Sequence, residues 1–277
     1  MVKPDKKVVV VIPIHEVNPS ELELISFQQC FKILGKYTIK IIAPEGLDLI
    51  NYRNVIQDFE VVFIDPVWQS SIEKYNKLKL SQFFYRLFDD YQFLLTYELD
   101  AFVFKDELLH WCNKEYDYIG SPWFVGYDNP SNDFLGVGNS GFSLRNIKAM
   151  QRAIKKVYLE EAAYYSFSRK NKILFKLFTY FNHLIIFFGE NHTIQRSSHR
   201  NEDAFISQII VKQVRDFKIA SIAEAIPFGF EVNPKYLFQI NKNILPMGCH
   251  AWWRYDFEFW KPFIEDFGYK IPIANDK

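Results

Sequence analysis

Residues 93–104 read Phe93-Leu94-Leu95-Thr96-Tyr97-Glu98-Leu99-Asp100-Ala101-Phe102-Val103-Phe104, an apolar run that halts at two acids and then resumes. Residues 93–95 suit a strand covered on both faces, as the central strands of α/β sheets are. Glu98 and Asp100 stand at i and i+2, so an extended backbone puts both carboxylates on one side of the chain. Two neighbouring acids repel one another and are poorly tolerated beside a buried strand. A divalent cation between them removes that penalty, because hard cations take carboxylate oxygens. An ordinary strand end with two solvated acids accounts for the same residues, so the choice falls to the rest of the chain.

Upstream, Val8-Val9-Val10-Val11-Ile12-Pro13-Ile14 is a β-branched run of the kind that forms a buried parallel strand. A polar loop over 15–19 follows. Ser20, with Glu23 three residues on, forms a capping box that opens a helix running to about Leu34 and closed by Gly35. A strand over 37–43, a weaker helix over 47–56 and a strand over 61–64 come next. This alternation predicts an α/β fold with an open, mostly parallel sheet. Such sheets bind ligands at the carboxyl ends of their strands, which makes His15, Glu16 and Asp65 candidate pocket residues; the plainer role is that of solvated loop polars. One helix is predicted over 72–88, its Leu80, Phe83, Phe84, Leu87 and Phe88 recurring at helical spacing.

Downstream, a short helix over 106–111 and a short strand over 116–119 lead to Gly120-Ser121-Pro122-Trp123. Turn formers over 124–135 predict a loop. Gly136-Val137-Gly138-Asn139-Ser140-Gly141 has the spacing of a dinucleotide motif, but it follows a loop and precedes the strand-like Phe142-Ser143-Leu144-Arg145. The dinucleotide reading therefore fails. Its glycines instead let the backbone approach a ligand closely, with Asn139 and Ser140 offering hydrogen bonds.

A helix over 146–165 precedes an unusual segment. Residues 173–188 are dominated by Ile, Leu and Phe, while Lys172, Lys176, Thr179 and His183 share one helical face. Behind Arg169-Lys170-Asn171-Lys172, this pattern fits an interfacial helix on an anionic membrane over 169–188; a core or partner-binding helix fits equally well. Arg200-Asn201-Glu202-Asp203 opens a helix to about 214, and capping alone would explain its acids. Gly248-Cys249-His250-Ala251-Trp252-Trp253 sets a histidine between glycine and two tryptophans, where a structural role is the common one.

Of the 277 residues, 49% are hydrophobic and 18% aromatic, ample for a core. The 33 basic and 33 acidic residues cancel, which argues against a nucleic-acid partner. Cys30, Cys112 and Cys249 form no pair or framework, pointing to a reducing compartment. The apolar run over 8–14 is too short, and too soon broken by Pro13, His15 and Glu16, for a signal peptide. No segment has the roughly 20 uninterrupted apolar residues of a spanning helix, so a cytoplasmic protein is expected.

Taken in order, these pieces resemble the GT-A fold of nucleotide-sugar-dependent glycosyltransferases. Glu98-Leu99-Asp100 resembles the metal-binding DxD motif, with Glu in first position. Residues 136–141 resemble the glycine loop, Asn201-Glu202-Asp203 the xED motif that carries the base of inverting members, and His250 the C-terminal histidine that completes the metal site. Tyr118-Ile119-Gly120-Ser121-Pro122-Trp123 and Gly138-Asn139-Ser140-Gly141-Phe142-Ser143-Leu144-Arg145 further resemble a little-characterised bacterial family presumed to build surface polysaccharides.

The resemblance implies a Rossmann-like, mostly parallel central sheet flanked by helices in a single domain over 1–277. Residues 1–125 would be the nucleotide-sugar-binding half, and 126–277 the acceptor half with the interfacial segment at 165–190. It implies Mn²⁺ or Mg²⁺ held by Asp100, His250 and Glu98, with Asp203 as the base and Glu202 supporting it or binding the acceptor. His15, Lys77, Tyr97 and Leu99 would meet the nucleotide; Trp123, Gly138, Asn139, Ser140, Gly141 and Trp252 would meet the donor sugar or acceptor. The partners would be a nucleotide-sugar donor and a glycan or lipid-linked acceptor, at the inner face of the plasma membrane. Were transfer retaining, Asp203 would not be a simple base.

Three other activities compete for the same residues. A sugar nucleotidyltransferase carries a Gly- and Arg-rich loop after its first strand, where this chain has His15-Glu16-Val17-Asn18-Pro19. A metal-dependent hydrolase finds no HExxH here. A non-catalytic, membrane-associated nucleotide- or glycan-binding protein retaining the fold is opposed by the intact acids and His250.

Overall fold

Six consecutive buried residues make β1 (Val8–Pro13), and their alternation decides what covers each side of the sheet. Val8, Val10 and Ile12 face one core with Phe27, Cys30 and Leu34 of α1 (Glu21–Leu34), while Val9 and Val11 face the other. The computed structural model describes residues 6–126, 129–164, 170–197 and 201–271. The capping box of α1 is complete: Ser20 Oγ accepts from Glu23 N at 3.2 Å and the Glu23 carboxylate accepts from Ser20 N at 2.7 Å. β2 (Thr38–Pro44), a short α2 (Ile50–Arg53) and β3 (Glu60–Ile64) continue the alternation.

The stretch 72–88 is two helices, α3 (Ile72–Lys79) and α4 (Gln82–Arg86), where one was expected. Ser81 takes an extended backbone and its hydroxyl caps Phe84 N. The Glu190 carboxylate accepts from Gln82 N at 2.7 Å and from Phe83 N at 2.8 Å. The N–H groups exposed by the break are thereby paired.

After β4 (Phe93–Tyr97), β5 (Phe102–Val103), α5 (Leu108–Asn113) and β6 (Tyr118–Ile119), the predicted loop connects the two strands of a hairpin. β7 (Ser121–Phe124) pairs antiparallel with β8 (Phe134–Gly138). β9 (Phe142–Asn146) follows, then α6 (Ile147–Lys156). α6 stops well before 165, a position outside the described residues, because Asn191 Nδ2 takes the carbonyls of Ile154 and Val157 at 2.6 and 2.7 Å. α7 (Lys172–Phe188), α8 (His192–Arg196) and α9 (Glu202–Phe205) come next. A π-helical turn over Ile206–Ile210 leads into α10 (Val211–Gln213). The chain closes with α11 (Ile222–Phe228), β10 (Gly229–Phe230), α12 (Pro234–Ile240), β11 (Gly248–Cys249) and α13 (Phe257–Glu265).

The central sheet runs β3-β2-β1-β4-β9-β6, with β3, β2, β1 and β4 parallel and β9 antiparallel to both its neighbours. α1 covers one face; α3, α4 and α6 cover the other. This is a mixed α/β fold with a mostly parallel central sheet and flanking helices. Two pairings position the site. Tyr97 opposite Phe142 brings residues 139–141 to the carboxyl end of β4. In the small sheet β10-β11-β5, Cys249 stands opposite Phe102 and beside Phe230, which brings the next residue, His250, to the acids. Among the described residues no helix is long and apolar enough to cross a membrane.

Candidate functional site

Where β4 ends, Glu98 N donates to Gly141 O at 2.8 Å, which extends the ladder with β9 one step beyond the sheet. Glu98, Asp100 and His250 meet here, with ligand atoms from each within 4.8 Å of one another. His250 Nε2 lies 2.9 Å from Asp100 Oδ1 and 3.6 Å from Glu98 Oε2. Asp100 Oδ1 and His250 Nε2 are buried, yet neither has a hydrogen-bond partner. Two such atoms facing each other form an imidazolium–carboxylate pair when the ring is protonated, and a ready pair of cation ligands when it is not.

The ring orientation fits the same conclusion. His250 Nδ1 is 2.8 Å from Glu231 Oε1, an arrangement that keeps an N–H on Nδ1 and aims Nε2 at Asp100, where a bound cation would take the place of its proton. Burial lowers the His250 pKa, but Asp100, Glu231 and Glu98 outweigh it and hold it well above the usual value. Two carboxylates and one imidazole suit Mn²⁺ or Mg²⁺. The loop from β8 to β9 is shaped around this ring: a Cβ on Gly141 would overlap His250 Nε2. Asn139 holds the loop from a buried position at φ 136°, its Oδ1 accepting from Gly141 N and Phe142 N at 2.8 and 2.9 Å. Such a backbone persists only where its surroundings enforce it.

Behind the triad runs a buried row of alternating charge. Lys79 Nζ sits 3.0 Å from Glu98 Oε1 and 3.5 Å from Glu202 Oε2, and also hydrogen-bonds Ser140 Oγ. Arg145 donates to the other oxygen of Glu202. Tyr75 and Ser140 hydroxyls donate to Glu98 Oε1 at 3.1 and 3.2 Å. Burial would raise the Glu98 pKa; Lys79 and His250 reverse this and hold it well below the carboxylate range. Glu98 and Glu202 are thus balanced by Lys79 and Arg145, while Asp100 and Glu231 meet His250.

Asp203 lies in the first turn of α9, just before the π-helical turn. Burial, then the charges of Glu202 and Glu231, push its pKa up to about 7. A carboxylate so placed is a far better proton acceptor than a solvated one.

Other residues singled out in the sequence lie elsewhere. Tyr97 is fully buried and donates to the carbonyls of Ser26 and Ala101 at 2.9 and 3.1 Å, so it faces the core and no nucleotide. Trp252 is 0% exposed and donates to Ser26 Oγ at 2.9 Å, which rules out a sugar-stacking role for its ring. Lys77 pairs with Glu73 at 2.6 Å and lines a cleft of about 220 Å³ with Asn76 and Asn201, next to Glu202; Lys79 is the lysine at the acids. His15 and Glu16 are exposed neighbours 3.7 Å apart. Asp65 caps the turn over Pro66–Gln69. Leu99 and Trp123 are half-buried, and the Trp123 ring fills the space over Gly138.

Lys79, Arg145 and Glu231 escaped the sequence reading. Lys79 had a signal: it shares the inward helical face of Tyr75, Leu78 and Gln82, where a lysine needs a buried acid. Glu231 directly follows β10 and gave none.

The profile of the family described as "Protein of unknown function (DUF5672)" matches residues 58–250. No curated protein matches the chain in sequence. Among solved structures, galactosyltransferase LgtC in complex with donor and acceptor sugar analogs superimposes with a TM-score of 0.50 at 13% identity, over 96% of this chain and 98% of its own. An active-site mutant of LgtC aligns at 0.50 and 15% identity, over 95% and 97% of the two chains. Glycosyltransferase GlyE of Streptococcus pneumoniae TIGR4 aligns at 0.45 and 12% identity, over 98% of this chain and 66% of that one. The fold shared with LgtC is the mixed α/β architecture described above.

Proposed function

We propose that this chain, which belongs to the family of unknown function DUF5672, moves a sugar from a nucleotide-sugar donor to a hydroxyl of a glycan or lipid-linked acceptor, with inversion at the anomeric carbon. The observation that carries the reading is the convergence of Glu98, Asp100 and His250 on one point, with Glu231 behind the imidazole and within charge reach of the buried Asp203. The likeness of the fold to an enzyme solved with donor and acceptor sugar analogs supports it. On this reading residues 1–277 work as one domain, with the donor on the first half and the acceptor on the second, in bacterial surface polysaccharide synthesis on the cytoplasmic side.

Asp100, His250 and Glu98 would hold Mn²⁺ or Mg²⁺. When bound, the ion neutralises the diphosphate of the donor and so eases its departure. The chain's own groups do the rest. Glu231 holds the imidazole through Nδ1, and Lys79 keeps Glu98 ionised. The Asp203 carboxylate takes the proton of the acceptor hydroxyl as that oxygen bonds the anomeric carbon and the bond from that carbon to the diphosphate breaks. Glu202, locked between Lys79 and Arg145, keeps the Asp203 pKa high.

Calorimetric titration of UDP, GDP, CMP and dTDP, with and without Mn²⁺, tests the reading. Metal-dependent binding of one of them, lost in Asp100→Ala, is expected and names the donor class. No binding of any nucleotide would overturn it.

A further inference from the structure

Helix α7 turns an apolar stripe away from the protein. Asn182 and Ile186 are its buried residues, with Phe175, Phe178 and Thr179 half-buried on the same side. Opposite them, Ile173, Leu177, Tyr180, Phe181, Leu184 and Phe188 form one exposed stripe along the whole helix, with Ile173 80% and Phe188 78% exposed. Lys172, Lys176 and His183 are exposed along one border of that stripe. Residues 170–189 contain no acid. The expectation of a lysine face opposite an aromatic face is thereby refined: the lysines edge the apolar stripe, and Thr179, grouped with them by spacing, turns its hydroxyl to the Phe175 carbonyl at 2.9 Å.

A contiguous stripe of this size on a helix surface marks a contact. A second copy of the chain would bring the same lysine border and no acid to meet it. An anionic lipid surface meets both features at once. We propose that α7 docks this protein onto such a surface, lying in its plane, the stripe among the acyl chains and Lys172 and Lys176 among the headgroups. With 17 residues the helix is about 25 Å long, and its polar border keeps it at the interface. This inference stands on the exposure of α7 and not on the assignment of glycosyl transfer.

Flotation of the full chain with vesicles tests it. The protein should float with vesicles of phosphatidylcholine and phosphatidylglycerol at 7:3, and far less with phosphatidylcholine alone. The double variant Lys172→Gln/Lys176→Gln should bind the anionic vesicles about 25-fold more weakly, at roughly fivefold per lysine. Leu184→Ser/Phe188→Ser, at exposed sites, should abolish flotation with an unchanged circular dichroism spectrum. Wild-type protein that ignores anionic vesicles, or that floats equally with both kinds, would overturn the proposal. So would a wild-type dimer that does not float and that Leu184→Ser/Phe188→Ser dissociates, since the stripe would then be a self-association surface.

Discussion

The ring of His250 stands where any side chain on residue 141 would have to go. Gly141 follows Asn139 in a loop that is fixed by side-chain bonds to its own backbone, so the loop cannot easily retreat. Gly141→Ala should therefore push the imidazole off Asp100 and weaken Mn²⁺ binding by about tenfold or more, with little change in the circular dichroism spectrum. Calorimetry with Mn²⁺ alone checks this.

Glu231 should behave as a positioning residue. Glu231→Gln keeps the shape but removes the charge that fixes the His250 tautomer, and outer-shell changes of this kind cost about 10- to 100-fold in metal affinity. Titration with Mn²⁺ should show that loss, and excess Mn²⁺ should restore turnover. Chelation of the wild-type protein should stop transfer reversibly.

Asp203 ties activity to pH. A base acts only when ionised, so transfer should fall tenfold per pH unit below about 7 and level off above it. Asp203→Asn should lower turnover by about 10²- to 10⁴-fold and leave nucleotide binding nearly intact.

The same carboxyl should make its mark on stability, with the opposite sign to a salt-bridged acid. Its folded pKa lies above the unfolded value of about 3.9, so the folded state binds more protons between the two values. Stability contributed by the neutral form is present below about pH 4, is lost as pH rises to about 7, and stays lost above that. Asp203→Asn should thus melt higher than wild type at pH 8 in chelator and close to wild type at pH 4.

Lys79 and Lys77, two residues apart, should differ sharply. Lys79→Met leaves the charges of Glu98 and Glu202 short of a partner in a buried setting, at a cost of about 3–5 kcal/mol. Lys77→Met breaks a single pair with Glu73 on the same helix and should cost about 0.5 kcal/mol or less. Urea unfolding of both variants checks the contrast.

The elements that were readable are those whose signal is local. The valine run of β1, the Ser20–Glu23 box and the acids that end β4 all sit within a few residues of what they specify. The break at Ser81 was hidden, since the acceptors that complete it come from Glu190. The loop between β7 and β8 was legible from its turn formers, but Pro122, Gly136 and Gly138 hid the paired strands on either side, and the early end of α6 depends on Asn191. Within the site, the triad was legible by resemblance, and the burial of Tyr97 and Trp252 was not. Both tie to Ser26 on α1, a contact no local pattern announces.

The position of β11 has a consequence for synthesis. Glu98 and His250 are more than half the chain apart, and the strand that joins them carries only two residues. The central sheet draws on segments before 147, so a growing chain has all its strands before residue 250 has been made. The Glu98–Asp100–His250 cluster therefore closes across a long sequence separation, which is slow to pair. A chain cut between 147 and 249 would keep every strand of the central sheet and lack the imidazole that completes the Glu98–Asp100–His250 cluster.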